Sequence, residues 1–443
     1  MHWEVMLPVK NPGRYFGRNI DGENGTLETR CIAWISRRRM NQPHAIMESL
    51  PEPDAQAMER SRALVALIGT EIRDAEQSMI SFQRFMELAL YAPGLGYYQS
   101  ATLEFGEAGD FITAPEISSL FSRCVARQVA QVLAKLQGGD ILEVGAGSGI
   151  MAADIVQALW EGEASPKGQS LPGKYLILER SAALRRLQHA TIEARAPSFL
   201  ERFRWLSDLP GPGFEGVILA NELLDAMPVR RFFIENGAAV WEWMVGWAED
   251  ALVWRLAPSR PGLEQAVARI ANGLGGALPD EYTSEVHPAQ AGWLREVARR
   301  MDAGLILLFD YGYPHTEYYH PERSSGTLTC HYRHRLHDDP FFLPGLQDIS
   351  VHVNFSAIAE AGVAEDLELA GFTTQRDFLF ATGLPEMCAQ VDPLSPGYLP
   401  LAQKIKYLTL PGEMGDIVKV IGLTRGIDED LEGFTGLDLR GRL

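Results

Sequence analysis

The chain of 443 residues has room for two ordinary domains or one large, elaborated one. Its formal net charge of −18 argues against binding a phosphate backbone, so no nucleic-acid partner is expected; it would tolerate or favour a basic protein partner, and is more simply read as an ordinary solubility device. No apolar run is long enough to span a bilayer, and four scattered cysteines without a CxxC pair point to a reducing compartment rather than a disulfide framework.

Residues 1–46 mix Gly, Asn, Arg and acids without helical or alternating periodicity. Asp21, Glu23 and Glu28 count against a transit peptide, and the apolar centre of a secretory signal is missing. The segment reads as a disordered leader or, slightly preferred, as a mis-assigned start with Met47 the true beginning. From Ala55 to Gln77, the positions Met58, Leu64, Leu67, Ile68 and Ile72 share one helical face. A second helix follows with Ser81 as its cap and Phe82, Phe85, Met86 and Leu88 inward. Thr113 and Glu116 form a capping box that opens a third, whose apolar stripe continues from Ile117 to Leu136.

Short, nearly unbroken apolar runs come next, at 141–144, 174–179, 203–206, 216–220 and 305–312. Such runs suit strands covered on both faces, and the intervening segments can hold helices, so the spacing predicts an α/β fold with a mostly parallel sheet. Residues 230–256 instead alternate, with Trp241, Trp243 and Trp247 at even spacing and turn residues at 235–237 and 248–250. This predicts an inserted antiparallel β meander, its tryptophans a packed face rather than a platform for bases. The expected division is a leader (1–46), an N-terminal helical segment (47–136), the first part of a cofactor-binding core (137–230), the meander plus a helix (231–300), and the completion of the core with substrate-side elements (301–443).

The stretch "ILEVGAGSGI" (141–150) runs from a strand into a glycine turn carrying Gly145, Gly147 and Gly149. A dinucleotide fingerprint would have its third glycine where Ile150 stands, and no Lys-Ser/Thr pair is present to cradle a triphosphate. Glu143 would repel a pyrophosphate but suits the ammonium-bearing methionine end of S-adenosylmethionine. Glu179, at the end of the next strand, can accept both ribose hydroxyls. The expected cofactor is therefore a methyl donor.

The fourth strand ends in "ANELLDAMP". A helical turn from Glu222 to Asp225 would bring both carboxylates to one side, with Pro228 ending it. Methyl transfer to nitrogen is a direct displacement in which positioning supplies much of the rate. A guanidinium suits a paired-carboxylate site, because it takes bidentate contacts and stays charged. Alternatively, Asp225 merely caps the turn and Glu222 touches only the cofactor.

The blocks "YAPGLGYY", "GDFITAPEIS", "ILEVGAGSG", "ANELLDAMP", "DYG", "GTLTCHYRH", "DPF", "DIS", "VHVNF" and "LPGEMG" occur in order. With them the chain resembles the MidA-like family, which includes a mitochondrial complex I assembly methyltransferase, over roughly residue 50 to the C-terminus. The resemblance implies a class I methyltransferase (Rossmann-like) fold with inserted elements, S-adenosylmethionine as donor and, as the mitochondrial member dimethylates an arginine, methylation of an arginine on a complex I subunit or a similar protein partner, with a mono- or dimethyl product left open. It makes Glu143, Gly145, Gly147, Gly149 and Glu179 cofactor residues, with Thr113 beside them, and Asn221, Glu222 and Asp225 the catalytic floor. It puts Glu285, Asp310, Tyr311, His334 and His352 on the substrate side. Two departures stand out: the family pattern expects a tyrosine at His331 and an aspartate at Asn354. The residues Cys330, His331, His334 and His337 lie close in sequence, but zinc sites usually need a second ligand cluster, so no metal is expected. A cytoplasmic bacterial enzyme is the leading expectation, or one of the mitochondrial matrix in a eukaryote, with the oligomeric state open. The competing readings are a cofactor-binding assembly factor with little catalysis and a nicotinamide dehydrogenase, which Glu143 and Ile150 oppose.

Overall fold

The computed structural model describes residues 50–100, 112–162 and 171–443. The expected leader, residues 109–111 of the GDFIT block and most of the loop after Glu161 lie outside the described residues.

The strands of the main sheet, numbered in chain order, are β1 (Asp140–Val144), β2 (Tyr175–Leu178), β3 (Phe203–Leu206), β4 (Phe214–Asn221), β5 (Met301–Tyr313), β6 (Glu368–Thr374) and β7 (Val418–Arg425). They lie in the order β3-β2-β1-β4-β5-β7-β6, and the two-residue strand Val353–Asn354 extends the end of β5 in parallel. β1 to β5 are parallel, while β7 runs antiparallel between β5 and β6. Alternate residues serve opposite faces. In β4, Val217 and Leu219 pack with the helices Ser119–Lys135 and Ile150–Glu161, whereas Ile218 and Ala220 join Leu294 of helix Pro288–Ala298 and Ile358 of helix Phe355–Val363. Burial on both sides explains why these strands read as apolar runs. β1, β4 and β5 also approach closely where they enter the sheet. A Cβ on Gly216 would lie 1.9 Å from the Asp140 carbonyl oxygen, and one on Gly304 would lie 1.8 Å from that of Gly216.

Between β4 and β5 the chain builds most of a five-stranded antiparallel sheet from Arg230–Glu235, Ala239–Ala248, Ala251–Pro258 and Tyr282–Val286, joined by Met79–Ser81 from the N-terminal segment. Both expected turns form, with Asn236 and Gly237 at φ 55° and 66° and Glu249 and Asp250 at 48° and 62°. This left-handed backbone matches the twist of the strands it joins. Trp243 is buried, Trp241 and Trp247 are half-buried, and Trp254 of the next strand meets Phe82 at 5.0 Å between ring centroids. The meander thus packs against the N-terminal helices Ala55–Asp74 and Phe82–Tyr91. A three-stranded sheet, Thr329–Tyr332, Arg335–His337 and Asp348–Ser350, stands apart from both.

Three local expectations are corrected. The helix from Thr113 is not continuous: a single turn, Ala114–Ile117, ends at extended Ser118 (φ −157°), whose Oγ accepts Leu120 N–H and starts the long helix afresh. Thr113 makes no side-chain cap, and the Glu116 carboxylate, expected to reach back to it, instead takes the Ser148 hydroxyl of the glycine turn. Leu67 is 38% exposed, off the buried face formed by Leu64, Ile68 and Ile72. Among the described residues no helix is long and apolar enough to cross a membrane.

Candidate active site

The carboxyl ends of β1, β2 and β4 open into a cleft of about 890 Å³. Its lining includes Thr113, Glu116, Glu143, Gly145, Gly147, Glu179, Asn221 and Glu222, and it is joined from the N-terminal segment by Tyr91 and Tyr98. Gly145 (φ 73°) and Gly147 (φ 52°) turn the backbone through the left-handed region, and Gly149 (φ 83°) is the residue on which helix Ile150–Glu161 starts. Added bulk at Gly145 would meet Leu223, whose Cδ1 lies 2.9 Å from the position a Cβ would take.

Two carboxylates flank this turn. Glu143 is buried and its Oε2 accepts the Tyr175 hydroxyl at 2.7 Å. Burial pushes its carboxyl up to about 7, against the pull of that hydrogen bond. Glu179 is also raised by burial; it accepts Ser181 N–H at 2.8 Å and Gln188 Nε2 at 3.2 Å. Gln188 holds the region together, for it also donates to the Gly147 carbonyl at 3.1 Å and accepts Trp205 Nε1 at 2.9 Å. Neither Tyr175 nor Gln188 was anticipated: the tyrosine reads as one more apolar strand position, and the glutamine as a helix-surface residue.

At the end of β4 the backbone reverses. Glu222 takes φ +50°, uncommon for a residue with a Cβ, so the expected helical turn from 222 to 225 does not form. Glu222 N–H donates to the Phe309 carbonyl at 2.8 Å, and its Oε1 accepts Asn221 Nδ2 at 3.2 Å and Ala114 N–H at 3.3 Å. Burial, with Asp310 next, pushes the Glu222 carboxyl up to about 8. Asp225 is buried behind it and raised well above the usual range by burial and by Asp310, Asp348 and Glu222. The reversal puts Glu222 on the cleft, whereas Asp225, expected beside it on the catalytic floor, does not line it.

The residues expected on the substrate side are dispersed. Asp310 is buried and spends its oxygens on backbone amides: Oδ2 accepts Leu223 and Leu224 at 3.1 and 2.7 Å, and Oδ1 accepts Tyr311 at 2.9 Å. Tyr311 lies near enough to Glu222 and Asp225 for both to raise its hydroxyl after burial, and its ring stacks 6.5 Å from that of His352. Burial pushes the His352 imidazole down to about 4. Glu285 is enclosed, paired to Arg231 at 3.1 Å and accepting Thr327 N–H at 3.0 Å. His334 is exposed at the tip of the hairpin joining Thr329–Tyr332 to Arg335–His337, at φ 61° beside Arg333 at 48°. None of these five lines the cleft. Asn354 caps helix Phe355–Val363 by accepting Ala357 N–H at 3.4 Å, which an aspartate would do equally. Among the described residues, no three His, Cys, Asp or Glu side chains converge as a metal site.

A family model described as "Putative S-adenosyl-L-methionine-dependent methyltransferase" matches residues 124–373, more than half of the chain. The chain belongs to this methyltransferase family. It is 40% identical to a Burkholderia thailandensis protein whose crystal structure holds S-adenosyl-homocysteine; the match covers 89% of this chain and 100% of that one, with a TM-score of 0.83. Among curated proteins it is 25% identical to the Drosophila melanogaster "Protein arginine methyltransferase NDUFAF7 homolog, mitochondrial", over 89% of this chain and 94% of that protein. It is 26% identical to the Homo sapiens NDUFAF7 methyltransferase, over 69% and 70%.

The methyltransferase uses S-adenosylmethionine, which supplies a methyl group on a cationic sulfur. The cleft fits that molecule. The Asn221 Oδ1 is buried there without a hydrogen-bond partner, and the glycine turn leaves bare backbone between two carboxylates. Glu143 would face the cationic methionine end and Glu179 the ribose, while Asn221 and Glu222, which line the same cleft, would stand on the methyl side.

Proposed function

We propose that the methyltransferase modifies an arginine nitrogen of a protein partner. The observation that carries this reading is a buried acid on the cleft, Glu222, with a second buried acid, Asp225, behind it and no basic side chain bonded to either among the described residues. A buried carboxylate without a cation is costly in water's absence, and an incoming guanidinium relieves that cost while its planar fork fixes the attacking nitrogen. The same cation draws the Glu222 carboxyl back toward ionisation, readying it to take the proton released as the N–C bond forms. The relatives' names, arginine methyltransferases of mitochondria, support the reading. The resemblance drawn from the sequence points to a complex I subunit as the partner, met in the bacterial cytoplasm or the mitochondrial matrix.

The test uses lysate from cells lacking the gene, purified full-length protein and labelled S-adenosylmethionine. Wild type should place label on arginine of one protein, identified by peptide mapping. Glu222→Gln should cut incorporation by at least about 100-fold while binding S-adenosyl-homocysteine nearly as well. Label on any other residue type, or undiminished incorporation by the variant, would overturn the proposal.

A further inference from the structure

The reversal at Glu222 is held by two consecutive residues of the neighbouring strand. The Phe309 carbonyl accepts the amide of Glu222, and Asp310 Oδ2 accepts the next two amides, those of Leu223 and Leu224. Three successive amides past the end of β4 are therefore satisfied from β5, the first by its backbone and the next two by a side chain. The other Asp310 oxygen accepts its own neighbour's amide, Tyr311 N–H, so both are occupied before any substrate arrives. Leu223 in turn seats its Cδ1 against Gly145, so the turn and the glycine loop share one contact.

We infer that Asp310 is a positioning residue, a staple that fixes both the Glu222 carboxylate and the Leu223 side chain against the cofactor loop, and does not itself bind substrate. It acts through backbone acceptance: what matters is an oxygen at Oδ2, not the charge. Glycine at 145 and leucine at 223 carry its effect into a cleft that Asp310 does not line. The inference depends on the cofactor cleft and not on arginine as substrate, so it survives if the substrate reading fails.

The experiment titrates full-length Asp310→Ala and Asp310→Asn with S-adenosyl-homocysteine in a calorimeter, well below each variant's melting temperature. Alanine leaves two buried amides without an acceptor, and affinity should fall about tenfold or more. Asparagine keeps a carbonyl oxygen for those amides, losing only the Tyr311 contact, and should bind within about threefold of wild type. A residue that merely supports the fold would lower the melting temperature of the alanine variant and leave the affinity of the folded protein unchanged; that result overturns the inference. Loss of affinity in the asparagine variant also overturns it, since charge would then be the requirement. Should the alanine variant fail to fold, the asparagine variant decides alone: retained affinity supports the staple and lost affinity refutes it.

Discussion

Replacing Glu143 by glutamine should separate what this carboxylate costs the empty protein from what it does for the cofactor. Its carboxyl is raised from 4.5 to about 7 by burial. A carboxyl raised on folding is held more tightly by protons in the native state, so stability is fully present below about 4.5 and declines as pH rises, levelling off above 7. The interval of 2.5 units corresponds to about 3 kcal/mol at 1.36 kcal/mol per unit. Glutamine is isosteric, stays neutral and can still accept the Tyr175 hydroxyl. The ligand-free variant should therefore equal wild type near pH 4.5 and exceed it by up to about 3 kcal/mol at pH 8, measured by urea denaturation. Calorimetric titration at pH 8 should show the opposite trend for S-adenosylmethionine, weakened by about ten- to a hundredfold, as for a lost hydrogen bond to a charged group. A variant no more stable at pH 8 than at pH 5, relative to wild type, would refute the desolvated carboxylate. Unchanged affinity would refute its contact with the cofactor.

Gly216→Ala should be among the most damaging single-methyl changes in the chain. Its Cβ would sit 1.9 Å from the Asp140 carbonyl oxygen at φ +143°, and separating β1 from β4 should cost more than about 3 kcal/mol in denaturation; a normal melting curve would refute the close strand approach. Arg231→Ala leaves Glu285 buried without its cation and should cost about 3–5 kcal/mol, partly recovered by Arg231→Lys. Lost methylation at unchanged stability would instead mark Glu285 as a group that meets substrate.

The core strands β1 to β5 were legible because burial on both faces leaves no polar alternation to disguise them, and the meander because Asn236-Gly237 and Glu249-Asp250 sit where hairpins need left-handed residues. β6 and β7 were not picked out one by one. Gly371 interrupts the first, and Lys419, Gly422 and Thr424 break the apolar run of the second. Ser118 hid a helix break that depends on its own side chain capping the next turn. The glycine turn and its acids sit on one local stretch each, and so could be read from spacing. Asp310 could not: it lies far along the chain from Leu223 and Leu224, and its duty shows only once β4 and β5 are side by side. His334, put on the substrate side by the resemblance, stands exposed at a hairpin tip, a placement that shows only once Thr329–Tyr332 and Arg335–His337 are paired.

The stretch from Asn221 to Arg230 is a junction box. Its near end leaves the main sheet and its far end enters the five-stranded one; Val351 N–H, beside the third sheet, grips the Asp225 carbonyl at 2.9 Å, and the Tyr91 hydroxyl grips that of Ala226 at 2.9 Å. The main sheet and both accessory layers therefore hold the same strip of peptide, the one that carries Glu222 and Asp225. A substitution in either accessory layer that shifts Val351 or Tyr91 is thus expected to disturb the backbone at Asp225 and Ala226 as well.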